Sequence, residues 1–171
     1  MSGSEFDALP YEEGRRWELL EGRLIEAPSP TPLHQDVVGN ALVALDRYLN
    51  GSSGEVFMGV EFALSSLLRL RPDVCLLLPE KVSALDWDHA PVPGAPDLAV
   101  DVISPTDLTG DCHDRVAAYL RNGTTEVWQI FQKSHTIDIH CGKGSRTLDA
   151  SQTLTSDLLP GFEAAVQTFF E

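Results

Sequence analysis

The sequence predicts a mixed α/β fold: a central mixed β-sheet flanked by helices, in one domain spanning residues 1–171. Three observations carry this. The chain has 171 residues, about the length of one domain and enough to bury a core without staples. Its hydrophobic share is 43% and its charged share 22%, the balance of a globular protein. Short apolar runs of strand length are interspersed with two segments of helical periodicity, and the two kinds do not alternate strictly.

The elements follow in order. Glu5 to Gly14 reads as a short helix and a turn. Trp17-Glu18-Leu19-Leu20 and Leu24-Ile25-Glu26 flank Glu21-Gly22, a hairpin in which the glycine supplies a positive φ. Three prolines in Ala27 to Pro32 require a loop. From Leu33 to Tyr48, the residues Val37, Val38, Ala41, Leu42, Leu45, Tyr48 and Leu49 form one apolar stripe of a helix, which Asn50-Gly51 ends. Strands are expected at Glu55–Met58, Val60–Leu64 and Val74–Leu78, the last opened by Arg71-Pro72-Asp73. A helix or loop near Glu80–Trp87 and a proline-rich link from Pro91 to Pro96 lead to Leu98–Ile103, a strand that Ser104-Pro105-Thr106 ends. A second amphipathic helix spans Thr109–Arg121, with Val116, Ala117, Tyr119 and Leu120 inward. Glu126–Phe131 and Thr136–His140 read as paired strands, and Glu163–Phe170 as a last short helix.

Charge is the unusual quantity. Twelve Lys and Arg stand against 26 Asp and Glu, a net −14. Such a field repels phosphate backbones and anionic membranes. The acids crowd between residues 80 and 114, where eight of them stand against Lys81 alone. Three cysteines without C-x-x-C spacing argue against a disulfide framework or a structural zinc site. No apolar run reaches the ~18 residues of a membrane span. Met1 to Pro10 has neither the basic start nor the apolar core of a secretory signal, so a cytoplasmic location is expected.

Asp101 is the most informative residue. A carboxylate inside Leu-Ala-Val-Asp-Val-Ile must be paired, hydrogen-bonded or bound to a cation. Asp73 is a second acid, at the mouth of another apolar strand. Two acids at adjacent strand ends can share one hard cation such as Mg²⁺ or Mn²⁺, with waters completing its shell. The same residues have a purely structural reading, in which Asp73 caps its strand and Asp101 pairs with an arginine such as Arg115. Asp97, four residues before Asp101, reads as a turn residue. His34 opens the first long helix and either binds helix-start amides or points into the site.

Taken in order, several segments carry a resemblance. They are Leu-Pro-Tyr-Glu-Glu-Gly-Arg-Arg-Trp-Glu-Leu-Leu-Glu-Gly-Arg-Leu-Ile-Glu, Pro-Ser-Pro with a histidine four residues on, Arg-Pro-Asp-Val, and Ala-Pro-Asp-Leu-Ala-Val-Asp-Val-Ile-Ser-Pro. An Arg-x-x-x-Tyr helix, Glu-Val-Trp and Leu-Pro-Gly-Phe complete the series. From about Phe6 to Phe170 the chain resembles the Uma-type restriction endonucleases of the PD-(D/E)xK superfamily.

The resemblance implies a restriction endonuclease-like fold and Mg²⁺-dependent hydrolysis of nucleic-acid phosphodiesters, DNA first. It implies Asp73 and Asp101 as the two metal-binding acids and the Val102 carbonyl as a backbone metal ligand. Glu18 and His34 match further positions near the site, and Arg115 stands where the family's lysine has moved onto the helix. Two departures stand out: Asp101 replaces the family's glutamate, and Arg115 its lysine. An arginine can hold phosphate charge but cannot lose a proton to act as a base. Homodimers are common among restriction-like folds, so one is expected here.

The acidic balance argues against tight general DNA binding, since non-specific affinity comes from neutralised phosphates. Arg15, Arg16, Arg23, Arg69 and Arg71 are the basic residues available to line a cleft. A catalytically degenerate scaffold binding a protein or nucleic-acid partner is the alternative, and a hydrolase of small phosphoesters on the same metal site is a third reading.

Overall fold

The computed structural model describes residues 1–105 and 107–171. Its elements are α1 (Gly3–Asp7), β1 (Arg16–Leu20), β2 (Arg23–Ala27), α2 (Pro32–Leu49), β3 (Glu55–Met58), β4 (Phe62–Ser65), β5 (Leu68–Leu70) and β6 (Val74–Leu77). There follow α3 (Pro79–Ser83), β7 (Val92–Pro93), β8 (Leu98–Ile103), α4 (Thr109–Arg121), β9 (Glu126–Phe131), β10 (Thr136–Cys141), β11 (Gly144–Asp149), β12 (Thr153–Thr155), β13 (Glu163–Ala165) and a 3₁₀ turn, Val166–Phe169. Thr106, part of the segment expected to end β8, lies outside the described residues.

Two larger sheets form. One has the order β11-β10-β9-β8-β6-β3, the other β2-β1-β5-β4-β7. In the six-stranded sheet, β8 and β9 run parallel and every other neighbouring pair is antiparallel. Parallel neighbours need a long crossover. Here α4 supplies it, and that connection brings the helix near the end of β8.

The central strands are buried on both faces. Val74, Leu76, Leu98, Val100, Trp128 and Ile130 pack with Val37, Val38, Ala41 and Leu45 of α2. Cys75, Leu77, Ala99 and Val127 pack the other way, with Val116, Ala118 and Tyr119 of α4 and with Leu20, Phe62 and Leu70 of the second sheet. Burial within this second core pushes the Cys75 thiol up to about 12, so it behaves as a small hydrophobe.

Local chemistry sets the boundaries. The β1–β2 hairpin turns on Glu21 and Gly22, at φ 51° and 75°, the doubly positive geometry of a type I′ turn. The N-cap of α2 is Thr31, whose hydroxyl accepts from the His34 amide at 3.2 Å, with Pro32 in the first turn. Asp97 is a structural residue. Its carboxylate accepts from the Leu78 amide at 2.7 Å and pairs with Lys81, while its carbonyl accepts from Thr125.

Some expectations need correction. Glu163–Phe170 is a strand followed by a 3₁₀ turn, not a helix. Phe162, Val166 and Phe169 are buried at spacings that fit a helix, but Glu163–Ala165 has a partner strand in Thr153–Thr155. On α4 it is Ala118, not Ala117, that is fully buried.

Candidate active site

Alternation along two strands builds the site. In β6, Cys75 and Leu77 face the second core, so Asp73, two residues before Cys75, continues that side. In β8, Ala99 faces the same core and Asp101 follows it. The β6–β8 register pairs Val74 with Val100. One step further along this antiparallel ladder, Asp73 stands opposite Asp101. The ladder has ended there, and the Oδ2 of Asp73 accepts the Val102 amide at 2.8 Å. Asp73, Asp101 and Val102 line one cleft of about 170 Å³, together with Glu18, His34 and Arg115. The two distant aspartates and the three other candidate side chains therefore converge.

Like charges directly opposed across a ladder repel. Arg115, reaching back from α4, balances them. Its Nε donates to Asp101 Oδ2 at 2.9 Å and its Nη2 to Oδ1 at 3.0 Å, a bidentate fork. Its Nη1 binds Glu18 Oε2, and its guanidinium carbon lies 5.9 Å from the Tyr119 ring centroid. The other oxygen of Glu18 accepts the Arg71 amide at 2.7 Å. Glu18 is therefore occupied on both sides and positions Arg115 and the Arg71 backbone. Asp101 is 4% exposed and Glu18 6%. Burial pushes both carboxyls above the usual range against the pull of Arg115, while Asp101 and Glu18 hold Arg115 firmly protonated.

His34 reaches the cleft from the start of α2. Its Nε2 lies 3.4 Å from Asp73 Oδ2, and its buried Nδ1 has no hydrogen-bond partner among the described residues. The hydrogen bond to Asp73 is the main cause that raises the imidazole above its ordinary value. A raised histidine favours the folded state while protonated. That contribution is complete below about pH 6.5 and disappears as the pH climbs through the higher folded value. Proton NMR is expected to show His34 titrating above a free histidine, and D73N is expected to return it towards that value.

Of the five arginines offered by the sequence, Arg16 and Arg71 line the cleft. The other three do not. Arg69 is buried against Asp7, Arg15 pairs with Glu12 and Glu26, and Arg23 with Asp111 and Asp114. Arg71 itself pairs with Glu61 at 2.9 Å. Sequence reasoning also left out Asp107, which lines the cleft and whose Oδ2 accepts the Ser104 amide at 2.7 Å.

Among the described residues, no group of three or more His, Cys, Asp or Glu side chains is arranged to hold a metal ion. The chemistry of the donors nevertheless fits a hard divalent cation: two carboxylates and a backbone carbonyl are oxygen ligands of the kind Mg²⁺ takes. A cationic guanidinium already rests on Asp101. The fit has one condition, that Arg115 yields its hold on Asp101.

Two carboxylates at the ends of antiparallel strands, with an arginine delivered by the crossover helix, thus form one charged cleft on a mixed α/β scaffold. A sequence model of the family described as "Putative restriction endonuclease" (Uma2) matches residues 4–167, and the chain belongs to that family. The crystal structure of a putative nuclease from Anabaena variabilis superposes with a TM-score of 0.87 at 16% identity, covering 99% of this chain and 97% of that one. The likeness shows that the two share the restriction endonuclease-like fold. A search of curated proteins gives no match.

Proposed function

We propose that this chain is a metal-dependent endonuclease that hydrolyses phosphodiester bonds of nucleic acid, DNA in the first instance, with Mg²⁺ or Mn²⁺. The observation that carries the reading is the meeting of Asp73 and Asp101, from two strands, in one cleft with Arg115. Asp73, Asp101 and the Val102 carbonyl would hold the ion. When bound, such an ion polarises a phosphodiester and lowers the pKa of a bound water. Arg115 would take the scissile phosphate or the charge that develops on it, using the fork it now turns on Asp101. Glu18 positions Arg115. His34, hydrogen-bonded to Asp73, would orient the attacking water or hold its proton.

Membership of the nuclease family supports this reading. The net −14 and the scarcity of free arginines around the cleft support a further point: the polymer is gripped at one phosphodiester, not along a basic track. A homodimer would bring two such clefts to one duplex. No helix among the described residues is long and apolar enough to cross a membrane.

The test is cleavage of supercoiled plasmid and of single-stranded DNA with Mg²⁺ or Mn²⁺. D73A is expected to lose at least about a hundredfold in rate, the scale of removing one charge-stabilising group from an active site. Equal rates for D73A and wild type would overturn the assignment. A second reading, a degenerate scaffold that binds without cutting, is favoured by the closure of both Asp101 oxygens on Arg115. It predicts no cleavage with either metal.

A further inference from the structure

Asp101 presents two oxygens to the cleft, and both are taken by one side chain, with Nε at 2.9 Å and Nη2 at 3.0 Å. The third nitrogen of that guanidinium binds Glu18. A divalent ion on Asp101 would have to approach those same two oxygens against the positive charge of the guanidinium that already holds them. We infer that Arg115 is the resident cation of this centre and its gate: a divalent ion is held only after Arg115 releases Asp101, and an arriving phosphodiester draws it off. The inference rests on the metal-dependent reading above.

The physical basis is a competition between two anionic partners for one fork. A phosphate presents paired oxygens with the same bidentate match to a guanidinium as a carboxylate. Arg115 therefore has a second partner of equal geometry once substrate enters, besides the Asp101 and Glu18 that it pairs with in this structure. Release moves one positive charge off Asp101, next to Asp73. Phosphate and divalent ion then strengthen one another's binding, and by linkage they do so reciprocally. A lysine at this position would not act the same way, because an ammonium is a point charge that cannot span both oxygens. The gate thus belongs to the arginine and to the shorter acid beneath it.

Mn²⁺ binding to the full chain, read as loss of the free-ion electron paramagnetic resonance signal, tests this. Wild type and R115K are titrated with and without dimethyl phosphate, a diester anion too inert to be cut. A site open in only a fraction of molecules has its apparent affinity reduced by that fraction, so a gain of roughly tenfold or more is expected when the gate is removed. Wild type should bind Mn²⁺ weakly alone and at least roughly tenfold more tightly with saturating dimethyl phosphate. R115K should bind tightly without the anion and gain little from it, and R115K/D73A should lose the tight binding.

If wild type binds Mn²⁺ as tightly as R115K and dimethyl phosphate changes nothing, the gate is overturned while the metal-dependent reading stands. If no form binds Mn²⁺ under either condition, both fall. The wild-type arm with and without the anion needs no variant, so the inference stays open to refutation even should R115K fail to fold.

Discussion

Replacing Arg115 by methionine is expected to destabilise the fold by about 3–5 kcal/mol, the scale of removing one partner from a buried ion pair. Denaturant unfolding at neutral pH measures it. Asp101 and Glu18 are almost fully buried, and Arg115 is the cation that both of them bind. Without it, two carboxylates face each other and Asp73 in a site with little access to water. Their escape is to take up protons. Burial already raises both above the usual carboxyl range, and without Arg115 they rise further. A group with a raised folded value favours the folded state at low pH and loses that advantage as pH rises through it. The deficit of R115M is therefore expected to be smallest in acid and to widen towards neutrality. Adding D101N should recover part of it, since the variant then has one fewer buried charge without a partner.

The second large effect is at Trp128. W128A is expected to lose about 3–5 kcal/mol, as large-to-small substitutions in tightly packed cores do, again read from the unfolding midpoint. The ring is fully buried on β9, 5.5 Å between centroids from Phe162. Its Nε1 donates to Glu126 Oε2 at 2.8 Å, an oxygen that also accepts from Ser156 at 2.8 Å. Truncation opens a cavity and takes one donor from a buried carboxylate in a single change. Trp128 also pairs with Val100, next to Asp101 on β8, so cleavage should fall beyond what the unfolded fraction explains. Exposed Trp87 provides the contrast: W87A is expected to stay within about 0.5 kcal/mol.

Legibility in the sequence followed the strength of the local signal. β8, α4 and β9 have the predicted bounds, because each is a clean apolar run or stripe closed by a polar or glycine stop. The β1–β2 hairpin was visible in Glu21-Gly22. β5 and β11 carry weaker signals: β5 has three residues with Arg69 at its centre, and β11 is mostly exposed and polar. Both are strands because a neighbour pairs with them, and pairing is a long-range fact.

The site divides the same way. That Asp73 and Asp101 are costly acids could be read from their apolar surroundings. That they meet follows from the β6–β8 register, which no local pattern encodes. The sequence left open whether Asp101 faces a metal ion or Arg115. The structure has the arginine on Asp101, and the gate inferred above reconciles the two readings in time. Glu18 and Arg71 meet because β1 and β5 pair at Leu19 and Arg69. Alternation from Asp73 already puts Arg71 on the cleft side, whereas the pairings of Arg15, Arg23 and Arg69 away from it had no sequence signature.

The two-sided burial of β6 and β8 has one more consequence. Because side chains alternate, a slip of one residue would exchange the two faces wholesale, thrusting Asp101 among the aliphatic residues under α2 and leaving Arg115 with Glu18 as its remaining carboxylate partner. Mispaired chains would thus be penalised by the very acids proposed to hold the metal, so the carboxylates proofread the assembly of the sheet that carries them.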